Sequence, residues 1–230
     1  MKICASIAPE NINVLKELLK KAKNCHADFI EIRFDFLEES EIQESLEFIK
    51  PISSRSVFTL RSKSQNGKFN KSEKERIFYL RLLSKYDPMF LDVELDTLKT
   101  YPELLQYLNS NKVNILVSHH DFSSTPSIDA LQIFFKEMKN YSNNIKLITT
   151  ANNLDDSFRI LDLYQYSGNS CLISFAMGDY GVLSRILSTL VGTAPFTYAS
   201  LDKTLAPGQI DILTLRKIYD RIKQNRSRYV

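Results

Sequence analysis

The chain has 230 residues, of which 43% are hydrophobic and 25% are charged, and its formal net charge is +3. This composition is typical of a globular protein and supplies enough apolar surface for one large α/β domain. Lysine and arginine are interspersed with aspartate and glutamate, so the chain is not predicted to bind nucleic acid. No apolar stretch approaches the roughly 18 residues that a bilayer span needs, so no membrane segment is predicted.

Three cysteines, Cys4, Cys25 and Cys171, form neither a CxxC pair nor a Cys/His spacing typical of a metal site. A small, odd number of cysteines is typical of a protein in a reducing compartment. The N-terminal apolar run is soon followed by Pro9 and Glu10 and is too short for the core of a secretory signal. We therefore expect a cytoplasmic protein that uses no metal and no cofactor.

Short apolar segments alternate with longer amphipathic segments along the whole chain. Polar or turn residues bound each short segment, which predicts a β-strand. The predicted strands are Ile3–Ile7, Phe29–Arg33, 56–60, 89–95, 113–118, 145–150, 171–175 and 195–199. The amphipathic segments predict helices at 11–24, 41–50, 72–86, 101–111, 127–140, 155–166, 180–190 and 210–224.

Strict alternation of eight strands and eight helices predicts a parallel sheet with right-handed crossovers. Eight units in this length suit a closed (β/α)₈ TIM barrel, as a single domain over residues 1–230. The alternative is an open, doubly wound sheet. Such a sheet usually has a glycine-rich turn after its first strand, whereas this chain has six glycines and no GxGxxG motif.

Polar residues cluster towards the carboxyl ends of the predicted strands, where a barrel concentrates its chemistry. Glu31 and Arg33 leave the same face of the second strand and form either a structural ion pair or a binding pair. Arg61, after the third strand, is either an exposed loop residue or a binding group. Asp92 and Glu94 form another same-face pair, whose alternative role is to satisfy loop N–H groups.

Lys146, in the sixth strand, is the most informative residue because lysine is rarely buried without a partner. Either its side chain snorkels out at the start of the strand, or it lines the barrel. Inside the barrel, burial and nearby cations such as Arg33, Arg61 or Arg185 would favour the neutral amine. A neutral amine can attack a ketone and form an imine.

Three further features complete the predicted site. His119 and His120 are adjacent on an extended segment, so one is expected to face the barrel mouth and the other to pack outside. Arg185 lies about one turn into a helix, where its guanidinium and backbone N–H groups could together hold an anion. The Pro-Gly turn within residues 202–209 predicts an ordered but movable lid. These residues favour imine chemistry on a keto acid but do not select the substrate.

Several motifs occur in the chain order of one known family. They are Glu31-Ile32-Arg33, Thr59-Leu60-Arg61-Ser62, Ser118-His119-His120-Asp121-Phe122 followed by Thr125-Pro126, Lys146, Ser184-Arg185 and Ala206-Pro207-Gly208-Gln209. Together they resemble type I 3-dehydroquinate dehydratase over essentially the whole chain. The resemblance implies a (β/α)₈ barrel, usually a homodimer, that converts 3-dehydroquinate to 3-dehydroshikimate and water in the shikimate pathway of aromatic amino-acid biosynthesis.

The resemblance also implies a role for each site residue. Lys146 condenses with the C3 ketone of the substrate, and the cationic imine acidifies the adjacent C2–H. His120 removes that proton, helps expel the C1 hydroxyl, and assists formation and hydrolysis of the imine. Arg185 resembles the residue that clamps the substrate carboxylate. The residues that resemble the hydroxyl- and carbonyl-binding set are Glu31, Arg33, Arg61 and Gln209.

Two residues depart from the family pattern. Gln65 stands where the family often has a glutamate near the catalytic histidine, and Glu31 or Glu94 is a candidate substitute. Leu205 stands where the family often has a lid serine or threonine, and the neighbouring Thr204 is a candidate for its hydrogen bond.

Two alternative functions stay open at this point. Another imine-forming barrel, such as a class I aldolase, would share the lysine but would need neither the APGQ lid nor the HDF segment. A non-catalytic relative would bind ligand without turnover, and the Gln65 and Leu205 departures are the features that favour it.

Overall fold

A computed structural model describes residues 1–226 of the chain, so residues 227–230 of the predicted domain lie outside the described part. Its eight strands are β1 Ile3–Ile7, β2 Phe29–Arg33, β3 Ser56–Thr59, β4 Phe90–Glu94, β5 Ile115–His120, β6 Asn144–Thr150, β7 Cys171–Met177 and β8 Thr197–Ser200. Neighbouring strands pair in parallel in the order β7-β6-β5-β4-β3-β2-β1-β8. The predicted parallel barrel is therefore confirmed.

The barrel is nearly closed, with a seam between β7 and β8. These two strands end the order of pairing and share no backbone ladder within residues 1–226. Aromatic side chains cross the seam, because the rings of Phe175 and Tyr198 lie 6.3 Å apart between centroids in an edge-on arrangement. Above them, the backbone N–H of Gly178 donates to the Pro207 carbonyl oxygen at 3.2 Å. Side chains and loops thus join the two strands where the ladder does not.

Nine α-helices alternate with the strands within the described residues: α1 Ile12–Asn24, α2 Ile42–Ile49, α3 Glu73–Ser84, α4 Leu95–Thr100, α5 Pro102–Ser110, α6 Ile128–Lys139, α7 Leu154–Asp162, α8 Val182–Val191 and α9 Ile212–Arg226. Polar side chains cap several of them by accepting a hydrogen bond from the first turn. The caps of α1, α3, α6 and α7 are Asn11, Ser72, Ser127 and Asn153. In the described part, no helix has the length and apolarity that a membrane crossing requires.

Several observed elements begin or end one or two residues away from the predicted bounds, and three differences bear on the site or on the helices. A separate short helix, α4, precedes the predicted helix 101–111, because the residue before Pro102 is sterically kept out of the helical region. The predicted helix 155–166 changes to a 3₁₀ turn at Leu163–Tyr166. β5 extends two residues beyond the predicted 113–118 and therefore contains both His119 and His120.

Side chains at alternate strand positions pack into two separate hydrophobic cores. Outward side chains such as Ile32 and Leu91 pack beneath the helices. Inward side chains such as Val57, Leu116 and Ile173 fill the barrel. The inward positions nearer the carboxyl ends of the strands carry polar and charged groups instead, and these groups form the candidate site.

Candidate active site

A cavity opens at the carboxyl ends of the strands, where the strand-to-helix loops meet. All the site residues predicted from the sequence line it: Glu31, Arg33, Arg61, His120, Lys146, Arg185 and Gln209. Other lining side chains include Ser6, Gln65, Phe122, Phe175, Tyr198 and Leu205. The fold thus brings into one cavity residues that the sequence spreads over most of the chain.

The amine of Lys146 lies inside the barrel. Its residue is 5% exposed, and Nζ lies 3.1 Å from Glu31 Oε1 and 3.1 Å from Asp92 Oδ2. Nζ also lies over the ring of Tyr198, 4.3 Å from the ring centroid. Lys146 therefore does not snorkel to solvent, and its direct hydrogen-bond partners are the carboxylates of Glu31 and Asp92.

The Glu31 carboxylate contacts side chains on three strands besides its own. It accepts hydrogen bonds from the hydroxyl of Ser6 on β1 and, at 3.1 Å, from the hydroxyl of Thr59 on β3, and its carboxylate faces Lys146 on β6. Burial opposes its ionisation, yet the charges of Lys146 and Arg33 lower the pKa of Glu31. The carboxylate is therefore ionised beside the lysine at neutral pH.

Asp92 links Lys146 to Arg61. Nη2 of Arg61 donates to Asp92 Oδ2 at 2.8 Å, the oxygen that Lys146 also contacts. Nη1 of Arg61 donates to the Ser118 hydroxyl at 2.8 Å, and that hydroxyl donates to the other Asp92 oxygen at 2.6 Å. Although burial opposes ionisation, Arg61 and Lys146 hold the pKa of Asp92 well below its ordinary value. Arg61 is 4% exposed and is thus no surface loop residue.

Arg33 and Glu94, the second members of the two same-face pairs, have partners outside their own strands. Arg33 donates to both oxygens of Asp35, at 2.8 and 2.7 Å, so it does not bridge to the glutamate of β2. Glu94 accepts the loop N–H of Ser62 at 2.8 Å, which is the alternative role expected for its pair. Its other oxygen accepts from Nη1 of the buried Arg76 at 2.7 Å.

The two adjacent histidines leave opposite faces of β5, as predicted. The His119 ring packs outside the barrel against Phe134 of α6, with 4.6 Å between ring centroids. The His120 ring lines the cavity and stacks on Phe122, with 5.9 Å between centroids and 14° between planes. The register of β5 with β6 puts His120 beside Ile148, one inward position above Lys146.

Gln65 contacts His120 twice. Its Oε1 accepts the backbone N–H of His120 at 3.0 Å and lies 3.3 Å from ring atom Nδ1. Burial, together with the charges of Arg61 and Lys146, lowers the pKa of His120 well below its ordinary value. The ring is therefore neutral at neutral pH and can accept a proton.

The expectation that Glu31 or Glu94 replaces the missing glutamate beside His120 is wrong. Strand register directs Glu31 towards Ser6 and Lys146. Glu94 instead accepts from Arg76 and from the loop N–H of Ser62. The amide of Gln65 itself takes the position beside the ring.

Arg185 is a buried cation without an acidic partner among residues 1–226. It lies in the first turn of α8, is 2% exposed, and donates to the carbonyl oxygen of Pro207 at 3.3 Å. Its guanidinium carbon lies 4.4 Å from the centroid of the Phe175 ring, and its Nε has no hydrogen-bond partner in the described residues. Burial lowers the pKa of Arg185 to about 10. This environment favours the binding of an anion.

The predicted lid, residues 202–209, covers one side of the cavity. Gln209 Oε1 accepts the backbone N–H of Leu205 at 2.7 Å, which closes the loop on itself. Gly208 has φ +70°, and a Cβ there would lie 2.2 Å from the Gly178 carbonyl oxygen, so only glycine fits. Thr204 is exposed and Leu205 lines the cavity. Within the described residues Thr204 therefore does not supply the lid hydrogen bond for which the sequence made it a candidate.

Two polar cavity residues on the strands, Ser6 and Tyr198, were not predicted from the sequence. Each stands at an inward position, because Ser6 is in register with Glu31 and Tyr198 is in register with Cys4, which packs inside the barrel. A polar side chain at such a position was the available signal. Its detection needs the register, which the sequence does not supply.

Comparison with known proteins gives consistent results. The family model described as type I 3-dehydroquinase matches residues 3–226. The 3-dehydroquinate dehydratase of Thermococcus gammatolerans is 33% identical over 204 residues, which cover 88% of this chain and 92% of that protein. The 3-dehydroquinate dehydratase of Dehalococcoides mccartyi is 38% identical over 206 residues, which cover 88% of this chain and 89% of that protein.

Solved structures share the fold. The type I 3-dehydroquinate dehydratase of Clostridium difficile has a TM-score of 0.87 at 23% identity and covers 97% of this chain and 93% of its own. The 3-dehydroquinate dehydratase of Aquifex aeolicus has a TM-score of 0.79 at 28% identity and covers 96% of this chain and 98% of its own. With the family model matched over nearly the whole sequence, the chain belongs to the type I 3-dehydroquinase family.

Proposed function

We propose that the chain is a hydro-lyase that converts 3-dehydroquinate to 3-dehydroshikimate and water, a step of the shikimate pathway, through an imine on Lys146. Its relatives at 33% and 38% identity carry the name 3-dehydroquinate dehydratase. The observation that carries the proposal is the buried Lys146 amine, which shares one cavity with His120 and Arg185. Arg185 is a buried cation that has no acidic partner among residues 1–226.

Substrate binding begins with the carboxylate. A carboxylate against Arg185 would give the buried guanidinium the acid that it does not have within residues 1–226, in surroundings where charge-assisted hydrogen bonds are strong. Arg33, Arg61 and Gln209 supply further donors in the same cavity, and Glu31 supplies an acceptor. This mixture of donors and acceptors fits the hydroxyl and ketone groups of a polyhydroxylated keto acid.

Imine formation follows at Lys146. The ammonium first gives a proton to the neutral His120, and the amine then adds to the C3 ketone carbon. A second proton passes from the nitrogen to the oxygen to give the carbinolamine, and His120 returns its proton as the hydroxyl leaves as water. The imine nitrogen that results is positively charged and stands where the ammonium stood. Glu31 and Asp92, each 3.1 Å from Nζ, therefore stabilise this charge as they stabilise the ammonium.

Elimination uses His120 as a base and then as an acid. The neutral ring takes the C2 proton, and the electron pair of that bond moves towards the imine nitrogen to give an enamine. The enamine returns its electrons, the C1–O bond breaks, and the protonated His120 supplies the proton with which the hydroxyl leaves as water. Hydrolysis of the conjugated imine then releases the product and restores the amine of Lys146.

The test is turnover of 3-dehydroquinate, followed by the ultraviolet absorbance of the conjugated enone product. We expect a rise in absorbance with the parent protein and none with Lys146→Met, which keeps the length of the side chain but has no amine. Ligand binding without turnover would identify a non-catalytic relative. Aldol cleavage of a sugar phosphate without enone formation would identify another imine-forming barrel.

We further infer that the protein is a homodimer, and the character of α8 supports this. Its polar residues Ser184, Arg185 and Ser188 are buried against the barrel. Its aliphatic residues Leu187 and Leu190 are only partly buried against the core, and Val191 is 65% exposed. A helix whose fully buried residues are polar and whose aliphatic residues stay partly exposed departs from the usual amphipathic arrangement. Its exposed apolar side is expected to be covered by another protein surface.

The neighbouring helix extends the same apolar surface. Leu154 and Phe158 of α7 are 52% and 50% exposed, and Phe158 lines a groove with Leu187 and Val191. Within the described residues α8 carries no exposed charge, which favours its packing against a copy of itself around a twofold axis.

We also infer a cytoplasmic location. All three cysteines are free. Free thiols persist in a reducing compartment. A fusion of the chain to a fluorescent protein in its native host is expected to give diffuse cytoplasmic signal, and signal at the cell envelope would contradict this inference.

A further inference from the structure

Tyr198 has a buried hydroxyl that no protein group satisfies. The residue is 4% exposed and lines the cavity. Among the described residues, its Oη has no hydrogen-bond partner. Buried hydroxyl groups are nearly always hydrogen-bonded in folded proteins, so an unpartnered one beside a reactive lysine is functionally informative.

The surroundings hold this ring in place. Phe196 packs edge-on against it with 5.4 Å between ring centroids, and Phe175 does so at 6.3 Å across the seam of the barrel. Within β8, Tyr198 is in register with Cys4 of β1. Because the ring is packed between aromatic neighbours, the hydroxyl cannot swing away to solvent, and a partner has to come to it.

The hydroxyl can act only as a neutral hydrogen-bonding group. Burial, together with the charge of Glu31, raises the pKa of Tyr198 well above its ordinary value. It therefore keeps its proton at neutral pH. An O–H donor in a site with little water stabilises negative charge that develops on a nearby oxygen.

The reacting amine lies against this ring. Nζ of Lys146 is 4.3 Å from the centroid of Tyr198. A ketone carbon bonded to Nζ carries its oxygen one bond further out, within the same small volume between the ring and the carboxylates. This oxygen gains negative charge as the N–C bond forms, and it then takes protons and leaves as water.

We propose that Tyr198 is a catalytic residue whose hydroxyl donates a hydrogen bond to the oxygen of the ketone and then of the carbinolamine on Lys146. The role rests on the proposed imine mechanism. Tyr198 transfers no proton in this role. It stabilises the oxygen while the amine adds. One proton reaches this oxygen from the lysine nitrogen, and His120 supplies the second as the oxygen leaves as water.

The test compares the parent with Tyr198→Phe, which removes one oxygen and keeps the ring. We expect kcat to fall by about 10- to 100-fold, with a smaller change in KM. The rate at which borohydride-reducible adduct accumulates in a single turnover should fall by the same factor, because the step affected is imine formation.

Tyr164→Phe is the matched control. The Tyr164 hydroxyl is also buried, but it donates to the Ser174 carbonyl oxygen at 2.8 Å and accepts the Ser174 N–H at 2.9 Å, outside the cavity. The control should lower the melting temperature and leave kcat unchanged. Tyr198→Phe should leave the melting temperature unchanged or raise it, because no protein hydrogen bond is lost.

The outcomes separate this role from the proposed function. If the parent turns over 3-dehydroquinate and Tyr198→Phe has the same kcat and the same rate of adduct formation, the role of Tyr198 is overturned and the proposed function stands. A melting temperature that falls as in Tyr164→Phe shows a structural hydroxyl and also overturns this role. A parent that forms no adduct with 3-dehydroquinate overturns the proposed function itself, and the role with it.

Discussion

Oε1 of Gln65 lies 3.3 Å from Nδ1 of His120 and also accepts the backbone N–H of that histidine at 3.0 Å. The backbone donor orients the amide so that its oxygen faces the ring. Nδ1 then carries the hydrogen of the neutral imidazole, and Nε2 is left with its lone pair for the substrate. A neutral side chain thus sets the tautomer of His120 without favouring the charged ring.

Replacement of Gln65 by glutamate tests this relationship. A carboxylate beside Nδ1 favours imidazolium and therefore raises the pKa of His120. His120 must be neutral to take a proton, so activity is lost as the pH falls through its pKa. The acid limb of the kcat/KM profile should lie below the ordinary histidine pKa of about 6.5 in the parent and move up by about 1 pH unit or more in the variant.

Gln43→Glu is the control for this profile, because Gln43 is exposed on α2 and contacts Tyr86 instead of the cavity. Its acid limb should coincide with that of the parent. If Gln65→Glu and the parent also had the same acid limb, Gln65 would have no part in tuning His120.

Arg185→Met should separate binding from stability. The loss of the guanidinium removes a charge-assisted contact of about 1.5–3 kcal/mol, so KM should rise by roughly 10- to 100-fold. Because Arg185 is 2% exposed and has no acid partner within residues 1–226, the apolar replacement should keep or raise the melting temperature. Steady-state kinetics and thermal unfolding measure the two effects. An unchanged KM would show that the substrate carboxylate binds elsewhere.

Asp92→Asn should lower the stability of the fold. The variant leaves the buried cations Arg61 and Lys146 with weaker partners, and breaking such a buried pair typically costs about 3–5 kcal/mol. Denaturant unfolding measures the loss, with the exposed Asp220→Asn as the control. A change of under about 0.5 kcal/mol in Asp92→Asn, as for an ordinary surface substitution, would contradict the central place of Asp92 in this network.

The pH dependence of unfolding tests the same network. The pKa of Asp92 is held below its ordinary value, so its contribution is fully present above the unfolded pKa of about 3.9 and is lost as the pH falls below it. The parent should therefore lose more stability than Asp92→Asn between about pH 4 and pH 2. Parallel curves for the two proteins would contradict the depressed pKa.

Phe158→Glu tests the inferred dimer. A charge in the groove between α7 and α8 should give a monomer by light scattering, whereas Phe78→Glu should leave the dimer intact. Phe78 is 62% exposed on α3, so the control introduces a charge at a comparable surface site on another helix. If the parent is a monomer at micromolar concentration, the inferred dimer interface is wrong.

The sequence was sufficient for the barrel and for the principal residues of its cavity. Strand periodicity grouped the residues that share a face, such as Glu31 with Arg33, because residues two apart share a face whatever the partner strand is. It left two orientations open for Lys146 and did not choose between the histidines, and the family motifs selected Lys146 and His120. The helix start near Pro102 was also predicted, whereas the short α4 before it was not.

Contacts between distant strands could not be read from the sequence. Glu31 and Lys146 meet across the barrel although they are 115 residues apart in the chain, and Asp92 joins Lys146 to Arg61. These partners depend on the register and closure of the barrel. For the same reason the sequence named Glu31 and Glu94 as partners for His120, whereas the loop that follows β3 brings Gln65 to the ring.

Borohydride trapping tests the central claim most directly. The protein is incubated with 3-dehydroquinate and sodium borohydride, digested, and analysed by mass spectrometry. We predict one modified peptide, with the mass of the reduced substrate adduct on Lys146, and no adduct in Lys146→Met. Turnover of 3-dehydroquinate with Lys146 unmodified, or with the adduct on a different lysine, would contradict the imine mechanism proposed for this site.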